Sequence, residues 1–283
     1  MTAPAATYSS VGPILRWAGS KRQILALLAA YWSERQGTYY EPFCGSLSLF
    51  LHLAPAKAHL SDLNKDLIET YNTVRTNPTS VARHLAGLDC SESAYYQIRA
   101  RFPLCVDSIE RAALFIYLNR LCFNGLYRTN SKGYFNVPYG GGGNASKPPD
   151  EAAITNFASR INGATIVCMD FEAALKTVRP GDFVYLDPPY SVNATRVFKE
   201  YLPAGFGSDD LTRLRSCLER LDEIGATFLL SYADTEEAAA LARGFTIHRS
   251  RVNRLIAASS ANRQSVLELL ISNHPVPPSI RSS

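Results

Sequence analysis

Short apolar runs alternating with segments of helical periodicity constrain this chain more than any other feature. Residues 38–41 read as a strand, 46–53 as a helix, 56–60 as a second strand ending at Asp62, and 64–75 as a helix. Upstream, Ile24, Leu25, Leu28, Tyr31 and Trp32 recur at helical spacing over 22–32. Such alternation calls for a parallel sheet with covering helices, because parallel neighbours need a crossover between them. From Asn77 the pattern changes. Residues 78–87, 92–102 and 108–122 all carry helical periodicity with no convincing strand between them, and Asp107 supplies an N-cap for the third. A polar, glycine-rich stretch over 124–149 includes four glycines at 140–143. Alternation then resumes, with strands at 165–169, 182–187 and 226–231 and helices at 171–178, 209–224 and 235–243. Two strands close the chain, near 244–251 and 265–272. The expected fold is α/β: a sheet domain made of residues 1–76 and 150–283, interrupted by a helical module at 77–149.

With 283 residues, 46% of them apolar and 19% charged, the chain can bury a sizeable core. No apolar run approaches the ~18–20 residues that span a bilayer, so no membrane segment is expected. The first residues lack a basic start followed by an apolar run, which points to an intracellular, cytoplasmic protein. Its six cysteines are scattered without CxxC or paired Cys/His spacing, which argues against a zinc site and a disulfide framework. Most are expected to be small buried apolar residues. The net charge of +4 is unevenly spread. Arg111, Arg120, Arg128, Lys132 and Lys147 fall in a stretch free of Asp and Glu, and six arginines between 243 and 281 face only Glu268. Solvated faces and a polyanionic partner both fit this pattern.

Three positions on the sheet carry chemistry. Glu41-Pro42-Phe43-Cys44-Gly45-Ser46 lies where a strand gives way to a helix, and a glycine there lets backbone approach a ligand. Asp62 ends the next strand, where a carboxylate can hold ribose hydroxyls or cap the following helix. The third is the apolar strand running into Asp187-Pro188-Pro189-Tyr190. Successive prolines fix the backbone and present carbonyls without donors. A carboxylate, a rigid carbonyl and an aromatic face suit an amine on a flat ring. Holding both amine hydrogens, at Asp187 and the Pro188 carbonyl, would aim the nitrogen lone pair at a methyl sulfonium while Tyr190 stacks on the ring.

At these residues the chain resembles the Dam-type adenine-N6 DNA methyltransferases of bacteria and phages. The resemblance covers about residues 15–273 and rests on several motifs in order. They are Leu15-Arg16-Trp17-Ala18-Gly19-Ser20-Lys21, the EPFCG segment, Ser61-Asp62-Leu63-Asn64, YLNR at 117–120 with FNGLYR at 123–128, FNVPYG at 135–140, DPPY and Glu268-Leu269-Leu270. It implies a Rossmann-like methyltransferase sheet with an inserted target-recognition domain, S-adenosylmethionine as cofactor and double-stranded DNA as partner. No metal is expected, because a methyl sulfonium is already activated and no ligand cluster is visible in the sequence, and action on one target strand at a time suits a monomer. By the same resemblance Trp17 and Lys21 line the cofactor pocket, Phe43 and Gly45 pack near the methionine moiety, Asp62 holds the ribose, and Asp170 with Phe171 borders the cofactor adenine. Asp187, Pro188, Pro189 and Tyr190 would hold an adenine turned out of the duplex, since the stack otherwise hides its amine. Arg16, Asn124, Leu126, Arg128 and Pro138 would touch bases, with Phe123 as a wedge; a forked arginine such as Arg128 suits guanine.

Two departures stand out: Leu47 and Ser20 replace glycines common in the family, and both bear on cofactor affinity. Two other readings compete, an RNA guanine-N2 methyltransferase and a decayed methyltransferase core acting as a DNA-binding regulator. The recognition sequence is open, with GATC suggested only by the resemblance.

Overall fold

A computed structural model describes residues 11–141, 147–189, 206–255, 263–278 and 280, with side chains at 252–255 and 263–266 left aside. A 3-10 turn at Arg22–Ile24 leads into α1 (Leu25–Ala29), shorter than the expected helix because a second tight turn ends it at Ala30. There follow β1 (Tyr39–Glu41), α2 (Ser48–Leu53), β2 (Ala58–Asp62) and α3 (Lys65–Thr76). The expected alternation is thus present, and Asn64 rather than Asp62 caps α3 by accepting the Leu67 N–H at 3.0 Å.

The helical interruption comprises α4 (Pro78–Ala86), α5 (Glu92–Arg101) and α6 (Ser108–Leu121). Asp107 caps α6 through the Glu110 N–H at 2.8 Å. After the glycine-rich stretch comes α7 (Glu151–Ile161), a helix the sequence reading passes over. Its signal is nevertheless present: Asp150 caps it, and Ile154, Phe157, Ala158 and Ile161 form a buried stripe at helical spacing. The chain then runs through β3 (Thr165–Cys168), α8 (Phe171–Leu175), β4 (Phe183–Leu186), α9 (Ser208–Glu223), β5 (Thr227–Ala233), α10 (Glu236–Leu241), β6 (Thr246–Leu255) and β7 (Arg263–Ser272). The last two strands are longer than expected because they pair with each other along ten residues.

All seven strands form one sheet in the order β3-β2-β1-β4-β5-β7-β6. Five are parallel, and β7 inserts antiparallel between β5 and β6. The chain works outward from β1 to β3, then returns to place β4 on the other side of β1. Loops leaving β1 and β4 therefore diverge, and a crevice opens at their carboxyl ends. Alternate strand residues feed two cores. Tyr39, Phe183, Tyr185 and Leu229 face one; Tyr40, Val184, Leu186, Phe228 and Leu230 face the other. The first core runs without a break into the inserted helices, where Tyr95, Phe115 and Leu118 are buried in the same cluster as Leu60 and Tyr71.

Cys44, Cys122 and Cys217 are buried, but Cys90 and Cys168 are exposed and Cys105 is half-buried, so only half of the cysteines serve as core residues. All are free thiols. Among the described residues no helix is long and apolar enough to cross a membrane, and no group of three or more His, Cys, Asp or Glu could hold a metal ion.

Candidate active site

The crevice between β1 and β4 contains a cleft of about 610 Å³, within the ~300–1,000 Å³ common for small-molecule sites. Its floor is the loop after β1. Gly45 has φ +42°, and a Cβ there would come within 2.8 Å of the Trp17 ring, so the Trp17 indole and the loop backbone can meet only over a glycine. The loop is held from below, where the Tyr71 hydroxyl of α3 donates to the Gly45 carbonyl at 2.6 Å. Asp62, at the tip of β2, accepts the Gly45 N–H at 3.1 Å and the Asn64 N–H at 3.0 Å. Burial pushes its pKa up, and these two N–H donors work against that.

Of the two departures, Leu47 sits at φ 60° just before α2 and is fully buried, so its side chain is directed into the core and does not line the cleft. Ser20 does line it, and its Oγ lies 3.0 Å from Ser48 Oγ, joining this early loop to the start of α2.

Asp187 follows β4 on the opposite wall. Lys21, itself 6% exposed, donates to Asp187 Oδ1 at 2.7 Å and to the Gly19 carbonyl at 3.1 Å, and pairs with Glu268 Oε1 at 3.2 Å. The closing motif at Glu268 thereby reaches the site: β7 lies next to β5 and carries this buried carboxylate to the lysine. Glu41, at the tip of β1, is buried and receives the Tyr39 hydroxyl at 2.8 Å. Burial raises its pKa to about 8, helped by the neighbouring charge of Asp187 and opposed by the Tyr39 hydrogen bond.

The remaining wall is aromatic. Phe43 stacks on Phe171 at 5.3 Å, and Phe206 closes edge-on at 6.0 Å from Phe43. Asp170 caps α8 and pairs with Arg213 of α9, which also binds Glu172 at 2.7 Å and Asp210 at 2.9 Å while its guanidinium lies over the Phe171 ring.

Trp17, Lys21, Phe43, Gly45, Asp62, Asp170, Phe171 and Asp187 thus all line one cleft, joined by Pro188 and Pro189. Tyr190 lies outside the described residues. Sequence reasoning missed Glu41, Arg213, Tyr127 and the contact made by Glu268. Glu41, Tyr127 and Glu268 each stand inside one of the sequence motifs, whereas nothing local marks Arg213.

The residues expected to meet DNA form a second group beyond the cleft lining. Phe123 N–H donates to the Pro138 carbonyl at 2.9 Å, and Arg128 Nε donates to Asn136 Oδ1 at 2.9 Å. Phe123, Asn124 and Pro138 are exposed at the tip of this loop, while Leu126 and Arg128 are half-buried. Arg16 packs over Gly125, which has φ +65°. The two groups touch where Tyr127, from the loop, stacks on Trp17, from the cleft, at 6.0 Å and 19°.

A doubly flanked sheet in this strand order, parallel but for the antiparallel β7, with its cleft at the switch point and an acid beyond β4, defines a Rossmann-like methyltransferase fold. Residues 17–256 match the model of the D12 class N6 adenine-specific DNA methyltransferases, and the chain belongs to that family. It is 36% identical to a type II methyltransferase, M1.LlaDCHI, of Lactococcus lactis subsp. cremoris, over 93% of this chain and 95% of that one. Identity to the type II methyltransferase M.MjaIII of Methanocaldococcus jannaschii is 34%, over 93% and 99%. The DNA adenine methylase of Escherichia coli is likewise 34% identical, over 90% and 93%. The protein is an adenine-specific DNA methyltransferase, and the RNA guanine-N2 reading is set aside.

Proposed function

We propose that the protein, as a monomer, transfers a methyl group from S-adenosylmethionine to the N6 of an adenine turned out of duplex DNA. The observation that carries this reading is the single cleft that joins the glycine loop, Asp62 and Asp187. The residues present fit the donor. Gly45 lets the Trp17 indole close against the loop along the cleft of about 610 Å³, and the carboxylates of Asp62, Asp170 and Asp187 that line it suit a cationic molecule. When bound, the donor supplies an activated methyl on a sulfonium.

The chain's own residues do the rest. Asp62 holds ribose hydroxyls, Phe43 and Gly45 pack near the methionine moiety, and Asp170 with Phe171 borders the donor's adenine. Lys21 fixes the Asp187 carboxylate, which accepts one hydrogen of the target amine, and the Pro188 carbonyl accepts the other. Pro189 keeps that backbone rigid, and Tyr190 stacks on the base. Orientation of this kind lowers a barrier by preorganising the reacting pair.

Residues 77–149 serve as the target-recognition part. Arg16, Asn124, Leu126, Arg128 and Pro138 contact bases, and Phe123 fills the gap in the stack. Support comes from a cluster of like charge: burial lowers the proton affinity of Arg120, and the nearby Arg16 and Arg22 lower it further. Cations crowded in this way suit a polyanion.

Transfer of labelled methyl from S-adenosylmethionine to unmethylated duplex DNA, read by sequencing that detects modified bases, tests the reading. Label on adenine at one short motif is expected. Asp187→Ala should abolish transfer and leave donor affinity within several-fold, because Asp62 and the glycine loop remain. Turnover at the wild-type level in that variant removes Asp187 from the chemistry. A wild-type chain without donor binding by calorimetry restores the decayed-regulator reading.

A further inference from the structure

Arg16 and Trp17 are consecutive residues serving different places. The Trp17 ring lies under Gly45 in the cleft, and the Arg16 side chain runs over Gly125 toward the loop that carries Asn124, Leu126 and Arg128. No regular element holds this strap, since residues 16 and 17 belong to neither a helix nor a strand. Trp17 stacks on Tyr127, and the Arg16 backbone is gripped by a side chain. Asn119, on α6 and 1% exposed, accepts the Arg16 N–H at Oδ1 and donates from Nδ2 to the Arg16 carbonyl, each at 2.7 Å.

A primary amide can satisfy both backbone groups of one residue, donor and acceptor together, as a neighbouring strand would. The contact spans 103 residues of sequence and ties the first segment of the sheet domain to the central helix of the insert. From the other side Gly125 sets the height of the strap: a Cβ there would collide with Arg16 Cβ and lie 3.2 Å from its Nε. The Arg16 backbone is therefore fixed between a two-point amide clamp and a glycine floor.

We infer that Asn119 is a positioning residue for target recognition, which pins the Arg16 backbone so that its guanidinium meets one base in register with the loop 123–128. The inference rests on Arg16 reading a base, as proposed above. Asn119 touches neither DNA nor donor and acts through Arg16. Removing its amide frees the strap to shift relative to the loop, and a forked guanidinium loses discrimination when its two donors no longer meet both acceptors of a base.

The full chain and its Arg16→Ala, Asn119→Ala and double variants would each methylate a random-sequence duplex library, with methylated adenines mapped by sequencing. Arg16→Ala should relax one base position by roughly 5- to 100-fold, the range of a good bidentate contact. Asn119→Ala should relax the same position, and the double variant should be no worse than Arg16→Ala alone. A folded Asn119→Ala protein that keeps full discrimination overturns the inference, as does a double variant in which the two losses multiply. Full discrimination in Arg16→Ala by itself shows that the base-reading role of Arg16 has failed, and the role of Asn119 falls with it. Should the alanine variant not fold, Asn119→Ser, which keeps a polar group but cannot span both backbone atoms, makes the same comparison.

Discussion

Glu41 sits at the tip of β1 with its carboxyl out of water, and burial holds its pKa at about 8 against an ordinary value of 4.5. Over that window the folded chain keeps a proton that the unfolded chain has lost, so stability falls as pH rises from 4.5 and levels off above 8. Glu41→Gln preserves the shape and an acceptor for the Tyr39 hydroxyl. It should flatten this pH dependence and raise the melting temperature at pH 8, as followed by thermal denaturation across a pH series. Parallel curves for the two proteins would place the titration elsewhere. Leu47 poses a different balance. Its left-handed backbone costs about 1–2 kcal/mol, which a glycine would not incur. Its side chain is fully buried, and deleting a buried leucine side chain costs about 2–5 kcal/mol. Leu47→Gly is therefore expected to destabilise the fold by about 1–3 kcal/mol in chemical denaturation, while donor affinity changes little because the side chain faces away from the cleft. A gain in stability would mean that strain outweighs packing here.

Among the elements, the parallel strands and most helices are legible because their hydrophobic period and caps agree, as at Asp107 before α6 in the helical interruption. The helix α7 escapes such a reading although its stripe is regular, since it follows a glycine-rich stretch with no strand between it and the insert. The loop over 122–139 has no period to read. It is shaped by pairing of Cys122 with Tyr139 and of Thr129 with Phe135, and by the Gly140 N–H donating to the Leu121 carbonyl at 2.8 Å. Three of its carbonyl contacts come from α5, where Tyr95 and Arg99 reach Asn136 and Val137. Such long-range support leaves Phe123 displayed at the tip, 39% exposed. Phe123→Ala should slow transfer to fully paired duplex by about tenfold, the equivalent of about 1.36 kcal/mol, because opening the stack is no longer compensated. A duplex mismatched opposite the target is cheaper to open and should lose less. Equal losses on both substrates, measured in single turnover, would deny Phe123 the wedge role.

Across the whole molecule, charge divides between two neighbouring regions, and the net value of +4 conceals it. Inside the cleft, carboxylates at Asp62, Asp170, Asp187 and Asp210 gather around Lys21 and Arg213, while Glu41 keeps its proton at neutral pH. Outside it, half-buried Arg120 is disfavoured as a cation by its burial and further by the nearby charges of Arg16 and Arg22. The acid-free stretch anticipates this second region only in part, because Arg111 within it pairs with Asp66 at 2.6 Å and packs over Phe102. Partners across the fold decide which arginines remain for a ligand, and no run of residues encodes that. The same division separates the duties of neighbouring arginines. Arg22 is exposed and, like Arg16, near enough to Arg120 to repel it, so it suits phosphate, whereas Arg16 is held in register by Asn119. Affinity for duplex DNA should fall with salt, and Arg22→Ala should reduce the slope of log affinity against log salt by about 0.9, the release of one counterion. It should weaken cognate and unrelated duplexes alike, leaving their ratio unchanged, because phosphate contacts carry no sequence information. Fluorescence anisotropy over a salt series on both duplexes measures the two quantities together. An unchanged slope would place Arg22 away from the DNA, and a changed ratio would make it a reader of bases instead.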